Sequence, residues 1–205
     1  VYLNQLASGS PDGSVNALSP DFEIPTTWKA NVGVAYNVDF GSSEDWTFSA
    51  DVLYNKLENA PFWYREDCAP ASAAPDGRVI YDCESDPINP GSDAPEAIIV
   101  GSTDKGESMI YALSVDKEFD NGISLRSSYT YQDIEDIGMG TSSTATSNYS
   151  DNPRYDLQVP TVGSSNFEVE HQFKLRLDWE KEFVQGFPTK VSLFGTRRSG
   201  QPYSY

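Results

Sequence analysis

Two cysteines, one histidine and a few clustered acids are the residues with which this 205-residue chain could do chemistry. Cys68 and Cys83 lie fourteen intervening residues apart in a polar, Pro-rich stretch. Two sulfurs at that spacing do not make a zinc site alone. An even cysteine count in a loop suits a disulfide formed in an oxidising compartment. Closing about 15 residues would contribute roughly 3 kcal/mol in the chain-entropy account. The single histidine, His171, alternates with Val169 and Phe173, which reads as a strand-face or interfacial residue. A Ser-His-Asp site would have to be built around it, and no G-x-S-x-G is present. There is no phosphate-binding G-x-x-x-x-G-K-[ST] and no G-x-G-x-x-G. Asp133, Glu135 and Asp136 cluster as paired carboxylates do in glycoside hydrolysis, but acids are too common in this chain to single them out. Glu84-Ser85-Asp86 is acidic without the D-x-[DN]-x-[DN]-G spacing of a calcium loop. The expectation is a protein that is not an enzyme and carries no cofactor or metal.

Three cations, Arg126, Lys174 and Arg176, remain as candidates for ligand contact. Their position follows from a period-two alternation. Within 167–183, Phe167, Val169, His171, Phe173, Leu175, Leu177, Trp179 and Phe183 share one face. Glu168, Glu170, Gln172, Lys174, Arg176, Asp178, Glu180 and Glu182 share the other. At a helical spacing of about 3.6 the same apolar residues would scatter around the cylinder. Five further segments alternate: 26–38, 46–56, 107–119, 123–132 and, more weakly, 189–197, where Phe194 breaks the pattern.

The connections between these six strands run short, long, short, long, short. The short ones are 39–45, Asp120-Asn121-Gly122 and 184–188; the long ones are 57–106 and 133–166. Outer-membrane barrels have short periplasmic turns and long external loops. Strands of 11 to 17 residues exceed the five or six usual in soluble domains and reach the roughly 9–11 a spanning strand needs. Trp28, Trp46, Tyr54, Phe119, Tyr129, Tyr131, Trp179 and Phe183 fall near strand ends, as interfacial aromatics do. The fold class expected is all-β: antiparallel strands of a transmembrane β-barrel. Arg126, Lys174 and Arg176 then face the lumen, where neighbouring Glu168, Glu170 and Asp178 invite them to pair.

The formal net charge is −17, which excludes a nucleic-acid binder of the basic kind. The longest apolar run, Met109 to Leu113, is five residues, against about 20 for a spanning helix. Segments 1–25, 57–106 and 133–166 carry −3, −7 and −4 of the charge, so the acidity belongs to one rim. Val1-Tyr2-Leu3-Asn4 does not begin a signal peptide. Six strands are too few for a lumen, since eight already give one filled by side chains. Residues 1–205 therefore read as a fragment of a larger barrel domain.

Several stretches resemble Oar-like TonB-dependent outer-membrane receptors. They are Ser19-Pro20-Asp21-Phe22-Glu23-Ile24-Pro25-Thr26-Thr27-Trp28-Lys29, then Ser128-Tyr129-Thr130-Tyr131-Gln132-Asp133 with Ser142-Ser143-Thr144-Ala145-Thr146-Ser147-Asn148. Glu170-His171-Gln172-Phe173 and the ending Arg198-Ser199-Gly200-Gln201-Pro202-Tyr203-Ser204-Tyr205 complete the set. The resemblance implies six strands of a plugged barrel of about 22, in the outer membrane of a Gram-negative bacterium. It implies outer-membrane lipid as surroundings, an unknown extracellular substrate captured at the loops, and coupling to the TonB complex through an N-terminal plug absent here. Peptide, siderophore, glycan and protein-derived cargo all stay open. A non-transport adhesin or assembly barrel, and a soluble secreted carbohydrate-binding β-sandwich, are the competing expectations.

Overall fold

The computed structural model describes residues 15–41, 43–83, 97–138, 140–151 and 154–202. They divide into two compact units. The first to consider is built on one large antiparallel sheet. Its strands are β2 (Thr26–Phe40), β3 (Ser43–Glu58), β8 (Glu107–Glu118), β9 (Ile123–Asp136), β11 (His171–Val184) and β12 (Phe187–Arg198). The other strands are numbered around them in chain order. The order across the sheet is β12-β11-β9-β8-β3-β2, with the two-residue β10 (Gly163–Ser164) against β9. All six alternating segments are present, and each pairs with its nearest neighbours among them. The sheet is a meander and it is open: β2 and β12 form its edges.

The register carries the alternation across the sheet. Leu113 lies between Ala50 of β3 and Tyr129 of β9, and Tyr129 lies opposite Phe173 of β11. One residue along, Ser114 lies between Ser49 and Ser128, and Ser128 opposite Lys174. A shift by one residue would exchange the faces, so the pattern pins the pairing.

Several boundaries differ from the sequence expectation: β9 runs on to Asp136 and β12 begins at Phe187. The strand expected from residue 167 begins at His171. Ahead of it the chain turns: Ser165 N–H donates to Ile134 O at 2.8 Å and Glu168 N–H to Ser165 O at 3.0 Å. Glu168 folds inward, and its Oε2 accepts from Ile134 N–H at 2.7 Å. This takes Phe167 and Val169 out of the strand and leaves Phe167 exposed. The connection expected over 39–45 is shorter, because the strands run on to Phe40 and from Ser43. Gly41 takes a φ of 60°, which glycine adopts freely.

Gly122 closes the hairpin between β8 and β9. Its φ is 81°, its N–H donates to Phe119 O at 3.0 Å, and its carbonyl accepts from Glu180 N–H at 2.8 Å. A Cβ there would collide with Glu180 O. Gly122→Ala should therefore destabilise by roughly 1–3 kcal/mol. The expected reading is a lower urea midpoint at unchanged slope; an unchanged midpoint would contradict it.

The second unit takes in segment 1–26 and most of the two long connections, 57–106 and 136–163. The sequence reading found no strands inside those connections; the structure has several. A three-stranded sheet has the order β1 (Val15–Leu18), β7 (Ala97–Thr103), β4 (Ala60–Arg65), with β1 parallel and β4 antiparallel to β7. A hairpin pairs β5 (Cys68–Ala73) with β6 (Val79–Cys83). A short helix, α1 (Ala145–Ser150), buries Asn148 and Tyr149. The buried apolar side chains described for the chain are Ala60, Ile98, Ile99, Ile137 and Tyr149, and all belong to this unit.

Candidate functional site

Among the described residues the large sheet has no buried apolar side chain. Its buried side chains among the described residues are Lys117, Ser165, Glu168 and Asp178, every one polar. Its apolar stripe is uncovered: Leu113 is 55% exposed, Tyr111 44% and Tyr129 40%. These three stand on the central strands β8 and β9, so an edge effect does not account for them.

The polar face holds the three cations expected to line a lumen. Arg126 and Arg176 are directly opposite each other on β9 and β11. Arg126 Nε lies 3.4 Å from Asp116 Oδ1. Arg176 grips Asp178 with two bonds, Nε to Oδ2 at 2.7 Å and a terminal nitrogen to Oδ1 at 3.1 Å. Ser192 Oγ also donates to Asp178. Farther along, Lys190 Nζ lies 3.8 Å from Glu180 Oε2. Arg126, Arg176, Asp178, Glu180 and Lys190 line an open hollow of about 500 Å³. In this arrangement Arg126 and Arg176 each already have a carboxylate. Lys174 stands apart, opposite Ser128 and Thr196, with no acidic partner among the described residues. Of the carboxylates expected to pair inside, Asp178 does. Glu168 serves a backbone N–H instead, and Glu170 Oε1 lies 3.5 Å from His171 Nε2.

Aromatic rings gather at both ends of the sheet. At the short-turn end Trp46 contacts Phe40, Phe48 and Phe119, with centroids 6.2–6.3 Å apart, and Trp179 meets Phe183 at 5.6 Å. At the other end Trp28 meets Tyr54 at 5.9 Å, and Tyr131 lies 6.2 Å from Tyr111 and 5.3 Å from His171. Tyr129 Oη is 2.8 Å from His171 Nδ1. His171 is thus held among tyrosine rings. Phe40 and Phe48 join the belt although the sequence reading did not name them. Two lysines on the apolar face hold their ammonium groups over rings of the short-turn end: Lys117 at 5.4 Å from Phe119 and Lys181 at 5.8 Å from Phe183. Contacts of this kind attract an ammonium group electrostatically to a ring face.

No family model matches the chain, and no curated protein does. Its function therefore has to be argued from the geometry.

In the second unit Cys68 and Cys83 form a disulfide between directly opposed residues of β5 and β6. Polar pairs tie the segments together. Tyr81 Oη donates to Asp156 Oδ1 at 2.9 Å, and the same oxygen accepts from Gln158 N–H at 2.8 Å. Burial, then the bond to Asp156, pushes the Tyr81 phenol above its ordinary pKa. Arg154 bridges Trp63 O at 3.1 Å and the carbonyls of Asn148 and Tyr149 at 3.0 and 3.1 Å. Arg65 forms a close two-bonded pair with Asp67. Burial opposes ionisation of Asp67, but the hydrogen bond and charge of Arg65 outweigh it and hold the carboxyl below its usual range.

A depressed folded-state pKa contributes stability above the unfolded value, and the contribution disappears as pH falls through the folded value. The tie between Arg65 and Asp67 should therefore loosen below about pH 4. Asp67→Asn should remove that acid-dependent loss of hydrogen-exchange protection around β4. Equal acid sensitivity in wild type and variant would refute the assignment. Among the described residues no three His, Cys, Asp or Glu side chains converge as a metal site. The acidic stretch Glu84-Ser85-Asp86 and the terminal Tyr203-Ser204-Tyr205 lie outside the described residues.

Proposed function

We propose that the chain is part of an outer-membrane barrel of the TonB-dependent receptor kind, which captures a substrate at its long connections and imports it. The uncovered apolar stripe of the large sheet carries this reading. An apolar stripe that is uncovered on central strands is stable where hydrocarbon, not water, surrounds it. A charged opposite face suits a wet lumen.

Other features support it. The six strands run 12 to 16 residues, enough to span. Their meander order is that of an up-and-down barrel wall. Rings collect at both ends, as girdles do. Antiparallel order puts the three short turns at one end of the strands, and the strand ends that lead into the long connections at the other. In this reading the long connections face outside and open strand edges pair with further barrel strands. Coupling to TonB falls to segments outside these residues. No helix among the described residues is long and apolar enough to cross a membrane, so crossing would rest on strands.

The test is site-directed spin labelling along β8 in lipid vesicles. Labels at Tyr111, Leu113 and Val115 should collide with dissolved oxygen. Labels at Ala112, Ser114 and Asp116 should respond to a water-soluble nickel chelate. Uniform access of the chelate to both sets would end the barrel reading.

A further inference from the structure

Phe62 and Tyr64 project from the same face of β4, with ring centroids 5.4 Å apart and planes within 26°. Both rings lie over Gly101 of β7, which pairs with Phe62. A Cβ at Gly101 would come within 2.8 Å of Phe62 Cε1 and 3.3 Å of Tyr64 Cε1. Glycine here makes room for rings; its backbone has no positive φ that would demand it. The two half-buried rings form one wall of an open hollow of about 250 Å³. Ser19, Asp21, Ser102 and Gln158 supply its polar rim.

The frame of this hollow is fixed by bonds between distant segments. Ser19 N–H donates to Val100 O at 2.8 Å. Ser102 Oγ accepts from Glu23 N–H at 2.9 Å and donates to Glu23 O at 3.1 Å. Gln158 Oε1 accepts from Arg65 N–H at 2.8 Å. Rigid placement of a few polar groups around an apolar wall lowers the ordering cost of binding. Asp21 is exposed and has no ion pair among the described residues.

We propose that this shelf binds a neutral pyranose unit of a glycan. A sugar ring has a flat C–H face for the aromatic wall and a hydroxyl edge for Ser19, Asp21 and Gln158. Competing chemistries fit less well. An aliphatic ligand would leave the rim carboxylate of Asp21 unpaired. A phosphate or other anion would meet Asp21 in a segment that is already acidic. A cation-binding cage needs ring faces that converge, whereas these two are near-parallel. The proposal deepens the receptor reading and rests on it only for placing the shelf outside the cell.

The experiment is calorimetric titration of the detergent-solubilised protein with cellohexaose, xylohexaose and chitohexaose. At least one should bind saturably. Phe62→Ala and Tyr64→Ala should each weaken it at least tenfold, and Asp21→Asn severalfold. Tyr64→Phe, which keeps the ring, should stay within about threefold and shows that the fold survives change at this position. The proposal is overturned if none of the three saturates the wild type, or if the alanine variants bind as the wild type does. Removing detergent separates the two readings. A protein that stays dispersed without detergent and still binds keeps the sugar site and loses the membrane. One that needs detergent and binds no hexaose does the reverse.

Discussion

Leu113→Arg should cost about 2–4 kcal/mol of folding stability in a bilayer, while Ser114→Arg, one residue along, should cost far less. Leu113 stands near the middle of β8, 55% exposed, flanked by Ala50 and Tyr129 on the strands either side. On the barrel reading its neighbours outward are acyl chains, and a guanidinium there is desolvated without a partner. Ser114 stands among Ser49 and Ser128 on the opposite face, where a lumen offers water and carboxylates. Leu175→Arg on β11 should behave like Leu113→Arg, since Leu175 shares the apolar face with Phe173 and Leu177. Glu170→Gln, on the polar side, should be mild. Urea titration of protein refolded into phosphatidylcholine vesicles measures all four. Equal penalties at 113 and 114 would refute the two-faced assignment.

The second large effect is expected at the disulfide. Cys68→Ser with Cys83→Ser should lower the stability of the loop-built unit by roughly 3 kcal/mol, the chain-entropy value for closing about 15 residues. The cross-link joins opposed positions of β5 and β6, a hairpin whose strands are largely exposed. Few apolar contacts hold that hairpin, so constraint of the open chain supplies much of its order. Limited proteolysis should cut between residues 69 and 82 in the double variant and spare the oxidised wild type. Tyr81 reaches Asp156 from this hairpin, so protection should also fall around Asp156 to Val159. Equal proteolysis of both proteins would show that the pairing of β5 with β6 suffices without the cross-link.

What was legible in the sequence was whatever repeats at a period of two. Phe173 against Lys174, and Leu177 against Asp178, announce their faces one residue at a time, and the register follows. The strand β7 was hidden for the opposite reason. Ile98 and Ile99 are adjacent and both buried, so the run Ala97-Ile98-Ile99-Val100 has no alternation to read. The helix α1 consists of residues with modest helix propensity and has no acidic first turn or side-chain cap, so nothing local announces it. Lys117 and Glu168 broke the face rule singly. One settles its charge over Phe119 and the other accepts a backbone N–H, and neither partner can be read from spacing. Tyr81 with Asp156, and the aromatic shelf over Gly101, join segments far apart in the chain. Such pairs exist only once the topology brings them together.

The nearest-neighbour order of the six long strands has a consequence for how the wall forms. Each new strand needs only the one laid down just before it, so growth proceeds like a fence built plank by plank. Closure entropy is met in small, local instalments wherever the turn is short. The two costly joins are those that leap across 57–106 and 136–163. In the first the cross-linked hairpin and strands β4 and β7 take up slack, and in the second the helix α1 does so. On the barrel reading, enlarging either connection should alter what the rim recognises while leaving the pace of wall construction nearly untouched.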